Sequence, residues 1–328
     1  MSIYISINSQ KKQVKGIFSN VNGGRKKITG VLGNVDGAMV KTFEERDKAT
    51  GKIVVVCDGG KIFYSLDGIT WIAVSGINST ENFRSVCYGN DRFVAVGFNG
   101  ISYYSLDGIT WIAMSGISTN IYSVTYGNDR FVCTCKSGKA YYSLNGVNWI
   151  AMSNHSYSST YNSVIYGNDR FVCVGSSGGG YSDYSTDGQT WKAMSGLNTS
   201  RTFYGVCYGD GKFVCVGGGG HSYYSIDGKT WIAMSGLDTS ISFNGVCYGK
   251  DRFICVGDSG RSYYSLDGKT WNAMPTISSS MLSGVVYAGD KFVAIGYKRD
   301  VLYSTDGETW ISVTTTLNDF GCRGICYG

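Results

Sequence analysis

Six aspartates recur at matched places in this 328-residue chain: Asp67, Asp107, Asp187, Asp227, Asp267 and Asp306. Each stands two residues after a serine and four before a tryptophan, and a seventh copy carries Asn145 instead. Repeated carboxylates are raw material for calcium sites and for acid–base pairs, but this spacing serves neither. A calcium ion takes about six to eight converging oxygens, whereas each aspartate here is alone in its own short turn. Aspartate followed by glycine is a turn-forming pair, the carboxylate accepting backbone amides and the glycine supplying a positive φ. The expectation is a structural turn and no metal.

Other catalytic material is sparse. There are two histidines, His155 and His221, in different repeats, too few for a histidine-based metal site or triad. The four glutamates are Glu44, Glu45, Glu81 and Glu308. Arg92, Arg130, Arg170 and Arg252 all fall in one recurring hairpin turn. The glycine run 217–220 joins two strands and opens no helix, so a phosphate cradle is a weak reading of it. These residues point to a non-enzyme with no cofactor.

The elements that position these residues are short strands. Trp71, Trp111, Trp149, Trp191, Trp231, Trp271 and Trp310 are all the tryptophans of the chain and recur about every 40 residues, the period of a β-propeller blade. In one repeat, Ser85-Val86-Cys87-Tyr88-Gly89 turns at Asn90-Asp91 into Arg92-Phe93-Val94-Ala95-Val96-Gly97. Ser102-Tyr103-Tyr104-Ser105 and Trp111-Ile112-Ala113-Met114 complete four strands. The chain finishes on an unpaired first strand, 323–328, and the ring begins at Lys52 with a second strand that has no first. The expected fold is therefore all-β: a seven-bladed propeller of four-stranded antiparallel blades over 51–328. One strand from the C-terminus and three from 52 onward share the closing blade, which removes an open edge.

The phrase Ser105-Leu106-Asp107-Gly108-Ile109-Thr110-Trp111 resembles the Asp-box turn of sialidase-like and photosystem-assembly-type propellers, one residue shorter between Asp and Gly. The resemblance covers 52–328 and implies the fold. A sialidase-like glycoside hydrolase is the enzymatic alternative it raises, but the arginine triad and Tyr–Glu pair such an enzyme needs do not carry over onto this sequence.

Eleven cysteines are present. Cys87, Cys207, Cys247 and Cys326 share one repeat position, and Cys133, Cys173, Cys215 and Cys255 share another, both filled elsewhere by small apolar residues. They read as reduced core fillers folded in a reducing cytosol, with Cys207–Cys215 and Cys247–Cys255 as conceivable cross-strand pairs. No secretion signal is expected, and no apolar run is long enough to cross a membrane.

Residues 1–50 read as a separate arm. Asn20-Val21-Asn22-Gly23 recurs as Asn34-Val35-Asp36-Gly37, and Asn-Gly and Asp-Gly between β-prone residues signal hairpins. The arm carries nine Lys/Arg, including Lys11, Lys12, Arg25, Lys26 and Lys27, against four acids, a net +5 that equals the charge of the whole chain. The ring is thus neutral and a poor match for nucleic acid. The arm resembles N-terminal stretches of structural proteins in tailed bacteriophages and phage-tail-like particles. That resemblance implies a virion protein, attached to other particle proteins through 1–50 and assembled in the host cytoplasm.

The repeats differ most in the second–third turns and the blade-to-blade loops, which share one face. At the expected channel mouth there, just before each inner strand, stand Arg84, Tyr122, Asn162, Tyr204, Asn244, Ser283 and Arg323. Aromatics, amides and guanidinium groups suit a host cell-surface glycan. Two roles stay open: a receptor-binding module using this face, and a purely structural decoration protein whose arm is the interface.

Overall fold

The computed structural model describes residues 3–7, 10–14, 51–152, 160–176, 182–198, 200–298, 300–314 and 321–328. The chain divides into two units, residues 1–50 and 51–328. In the first, Ile3–Ile7 pairs antiparallel with Gln10–Val14, Ile3 opposite Val14 and Ile7 opposite Gln10. Lys11 and Lys12 lie on the second of these strands. The hairpin turns expected at 20–23 and 34–37, and with them Arg25, Lys26 and Lys27, lie outside the described residues.

The described residues of the second unit form seven four-stranded antiparallel sheets, a seven-bladed propeller. One blade consists of Phe83–Gly89, Arg92–Gly97, Ser102–Ser105 and Ile112–Ala113. Its second strand shows why the sequence reads as an unbroken apolar run there. Phe93, Val94, Ala95 and Val96 are all fully buried, because the strand is covered on both faces by neighbouring blades. The outer strand keeps two exposed residues, Ile112 and Ala113.

In the closing blade, Cys322–Tyr327 is the inner strand and pairs with Ile53–Cys57, followed by Ile62–Ser65 and Ile72–Ala73. Ile53 lies opposite Tyr327 and Val56 opposite Gly324. Beyond the pairing, Lys52 and Gly328 exchange two backbone hydrogen bonds of 3.0 Å.

The cysteine reading needs two corrections. Cys57 lies opposite Cys322 and is bonded to it, closing a span of 265 residues. At the same place five other blades set a glycine against a large apolar residue, as Gly97 against Phe83 and Gly257 against Phe243, and the sixth sets Cys135 against Ile121. The other nine cysteines are free thiols in or near the core, where burial pushes those at Cys87, Cys207, Cys215 and Cys247 upward. Second, Cys207 faces Val214 while Cys215 faces Val206. Directly opposed residues share a sheet face and successive residues alternate, so Cys207 and Cys215 project from opposite faces and cannot bond. The register of Cys247 against Ile254 and Cys255 against Val246 excludes the second pair in the same way.

Blades adhere through a repeated set of contacts. Trp231 is 3 % exposed and packs with Phe213 of its own blade and Val172 and Val174 of the preceding one. Its indole N–H points at Met194 Sδ, 3.0 Å away in that preceding blade. Trp71, Trp111, Trp191 and Trp271 are likewise buried, and Trp149 and Trp310 partly so. The recurring hairpin arginines serve this seam too. Arg130 lies over the Tyr142 ring at 5.8 Å, and its stem runs under the next blade's turn. A Cβ on Gly188, which has φ 68°, would sit 3.0 Å from that stem and 2.9 Å from Phe171. Glycine is required there for both conformation and space.

Each of the six aspartates accepts backbone amides of its own turn. Ser65 Oγ donates to Asp67 Oδ1 at 3.0 Å, and the same oxygen accepts from the amides of Ile69 and Thr70 at 2.8 and 2.7 Å. Asn145 Oδ1 accepts the matching amides of Val147 and Asn148 at 3.0 and 2.9 Å. Partial burial works to raise the Asp67 carboxyl, but the amides of Thr70 and Ile69 and two hydroxyls outweigh it and hold the group at about 2, below its ordinary 3.8. Asp187 is held at about 2 by the same arrangement.

Two predictions follow from these contacts. Trp231→Ala should lower ring stability by about 3–5 kcal/mol, read as a shifted denaturant midpoint. A carboxyl depressed by folding stabilises the fold above its unfolded value and loses that contribution as pH falls toward the folded one. Ring stability should therefore decline between about pH 4 and pH 2, and Asp67→Asn with Asp187→Asn should flatten that decline in acid-unfolding curves.

Candidate functional site

The seven residues placed by sequence at the channel mouth occupy one structural position, although inside the inner strands and not before them. In every blade the ladder between first and second strands skips a residue near its start. Phe83 pairs with Gly97 and Ser85 with Val96, leaving Arg84 unpaired. Tyr122, Asn162, Tyr204, Asn244 and Ser283 are skipped in the same way, and Arg323 is skipped between Cys322 and Gly324. A bulge re-aims the side chain of its extra residue. Here the re-aimed chains all line one cavity of ≈ 360 Å³.

The next residue along keeps the channel narrow. It is Ser85, Ser123 or Ser163 in three blades and Gly205, Gly245, Gly284 or Gly324 in four. The serines accept the following blade's backbone, with Val124, Val164 and Val206 donating to Ser85, Ser123 and Ser163 Oγ at 3.2, 3.1 and 3.3 Å. At Gly245 a Cβ would come within 2.9 Å of the Gly284 backbone. Small residues are thus needed for inner strands to approach, and the bulged residues supply the mouth with its chemistry.

Arg323, Asn162 and Asn244 each bond the residue that follows their own blade's second strand. Arg323 donates from Nε and Nη2 to the Asp58 carboxylate at 2.7 and 3.1 Å, with the Tyr297 ring 5.1 Å from the guanidinium. Asn162 donates to Ser176 Oγ at 3.3 Å and to Phe203 O of the next blade at 2.9 Å. Asn244 repeats this with Asp258 Oδ1 at 3.1 Å and Leu282 O at 3.0 Å. Ser283 donates to the Ile295 and Cys322 carbonyls. Tyr204 is 38 % exposed.

Arg84 differs. Its guanidinium lies 4.8 Å from the Phe98 ring centre and 5.6 Å from that of Tyr122, and these two rings meet edge to face at 5.8 Å. It has no hydrogen-bonded acceptor among the described residues. Burial and the neighbouring Arg323 pull its pKa below the ordinary value, with Tyr297, Tyr122 and Asp58 pulling the other way.

Asp58 and Tyr297 are mouth-organising residues that the sequence reading did not single out for that role. The signal was available in their repeat position, shared with Phe98, Ser176 and Asp258. His221 borders the same face and burial lowers its pKa, with Arg201 adding to the effect, while His155 lies outside the described residues. Glu308 pairs with Arg252 at 2.6 Å on the opposite face. No group of three or more metal-ligating side chains occurs among the described residues, and no helix there is long and apolar enough to cross a membrane.

No protein-family model and no curated protein sequence matches the chain. Solved structures do match its shape. YCF48 bound to D1 peptide is 18% identical with a TM-score of 0.61, over 80% of this chain and 87% of that one. YCF48 from Cyanidioschyzon merolae is 17% identical at 0.60, over 81% and 92%. Virginiamycin B lyase from Staphylococcus aureus is 11% identical at 0.60, over 86% and 90%. At these identities the likeness is one of fold. These neighbours are not phage proteins, so the phage resemblance of the arm stands on its residues alone.

Removing Asp58 would leave Arg323 half-buried without its carboxylate. Asp58→Ala should cost about 1.5–3 kcal/mol, the range for hydrogen bonds to charged groups, whereas Tyr204→Ala at an exposed position should stay within about 0.5 kcal/mol. Denaturant titration of the two variants checks both.

Proposed function

We propose that the ring is a non-catalytic binding module that takes its ligand at the channel mouth. The observation that carries this is the pattern of variation at adjacent positions. The bulged position holds Arg, Tyr, Asn, Tyr, Asn, Ser and Arg around the ring, while the residue beside it is always serine or glycine. The scaffold position is uniform because packing dictates it. The position aimed into the cavity is free to differ, and its side chains combine hydrogen-bonding groups with aromatic faces, the make-up of a small-molecule site.

A host cell-surface glycan is the ligand class this inventory supports, aromatic rings covering C–H surface and polar groups answering hydroxyls. YCF48 bound to D1 peptide is a propeller of similar shape that takes a peptide, which favours a protein segment as the second reading. We further propose that the chain is a component of a tailed-phage or phage-tail-like particle, attached through residues 1–50. This placement rests on the basic, hairpin-forming character of the arm and its resemblance to such proteins.

The test is binding of the full chain and of residues 51–328 to intact host-type cells. Saturable binding by both, lost in a Tyr122→Ala/Tyr204→Ala double variant that still folds, is expected. Full binding by that variant would remove the mouth from the account. Binding by neither form would leave the ring a structural part and make the arm its interface.

A further inference from the structure

We infer that the mouth holds a carboxylate-bearing sugar, its carboxylate on Arg84 and its hydroxyls on the carbonyl oxygens of Asn162 and Asn244 across the ring. This rests on the binding reading above and names the ligand class of that site.

Arg323 and Arg84 come from adjacent inner strands, the first and second blades of the ring. Counting three blades onward from Arg84, or three back from Arg323, reaches Tyr204. Asn162 and Asn244 flank Tyr204 on either side. The cavity is therefore bipolar, with two guanidinium groups on one arc and an aromatic ring between two amides on the arc opposite.

Hydrogen-bond bookkeeping then separates what each arc can still offer. Arg323 has its fork committed to Asp58. Arg84 is half-buried, braced by Phe98 and Tyr122, and has no hydrogen-bonded acceptor among the described residues. A desolvated guanidinium with no acceptor calls for an anion, and its planar fork matches a carboxylate. Asp58, the carboxylate that acts on its charge, is already held by Arg323, so the cationic arc keeps an excess of positive charge.

The opposite arc is acceptor-rich. An asparagine amide has two N–H donors and one carbonyl oxygen. Asn162 directs its N–H groups to Ser176 and Phe203, and Asn244 directs its own to Asp258 and Leu282. Neither carbonyl oxygen accepts a hydrogen bond from the described residues. Each is left to accept and cannot donate, which suits hydroxyl groups. An acidic sugar presents an oxyanion at one end, hydroxyl donors at the other and a C–H face for Tyr204 between them. A peptide carboxy-terminus shares the anion, but it offers these oxygens only its spaced amide N–H groups, whereas a sugar ring presents hydroxyls on neighbouring carbons together with a C–H face for Tyr204. The ≈ 360 Å³ cavity is at the lower end of the range for small-molecule sites, about 300–1,000 Å³.

The experiment is an array of uronate and sialoside glycans, each beside its carboxyl methyl ester. It is probed with the full chain, with Arg84→Gln and with Arg84→Lys, all three first shown to share one unfolding midpoint. Peptides with free and amidated carboxy-termini are printed on the same surface. The unaltered chain should retain free acids about 10-fold or more over esters, as a charge-assisted pair lost on esterification implies. Arg84→Gln should abolish the preference, acids and esters being retained alike, and Arg84→Lys should fall between. Equal retention of acid and ester by the unaltered chain overturns the carboxylate subsite and leaves glycan binding at the mouth intact. Retention of free-terminus peptides with no glycan overturns the sugar assignment. No retention of any probe, with cell binding also absent, overturns this inference together with the reading beneath it.

Discussion

A propeller blade has two apolar faces and no means of covering either by itself. The second strands make this plain: Val54, Val55 and Val56 of the closing blade are fully buried, and they belong to two different interblade clusters. Every blade is thus stable only between neighbours, and a ring is the arrangement in which none is left without one. The tryptophans, the arginine stems under the glycine turns and the aspartate-capped hairpins all serve that single requirement. So does the closure. Its inner strand comes from the far end of the chain, and the loop thereby fixed is the longest the ring contains, which is where a cross-link removes most unfolded-state freedom.

The same requirement produces the mouth. Inner strands must approach closely enough that only serine or glycine fits beside the neighbour's backbone, so larger side chains have no room along the channel wall. A bulge at the start of each inner strand supplies the exception. It sets one residue per blade outside the ladder and turns it toward the axis. Closure and mouth meet at one point in the chain, because Cys57 and Asp58 are consecutive, as are Cys322 and Arg323. The bond that locks the first blade and the ion pair that orients its mouth residue are held by the same two strand ends.

Much of this was legible in the sequence because it repeats. The tryptophan period, the Ser-x-Asp-Gly turn and the incomplete strands at either end of the ring fix the blade number and the mode of closure without coordinates. The mouth residues could be named because they occupy one column of the repeat. What repetition hides is whatever happens once. Cys57 and Cys322 fall outside the two recurring cysteine columns, and only pairing of the first and last strands brings them together. The bulges were hidden for a different reason: a skipped residue changes register without changing composition, so the mouth residues read as lying before the strands. The division of labour at the mouth also depends on partners invisible to spacing. Two arginines in one column look alike, yet Arg323 is held by Asp58 and Arg84 is braced only by rings.

The central claim is that the bulged residues of the inner strands form one ligand site. The most direct measurement is a crystal structure of the full chain grown with a saturating acidic glycan retained by it. The account expects the ligand in the channel mouth, with an oxyanion within hydrogen-bond distance of the Arg84 guanidinium and hydroxyls on the Asn162 and Asn244 carbonyl oxygens. A glycan bound on the outer rim or on the face of the Asp-Gly turns, with the mouth holding solvent alone, would contradict it.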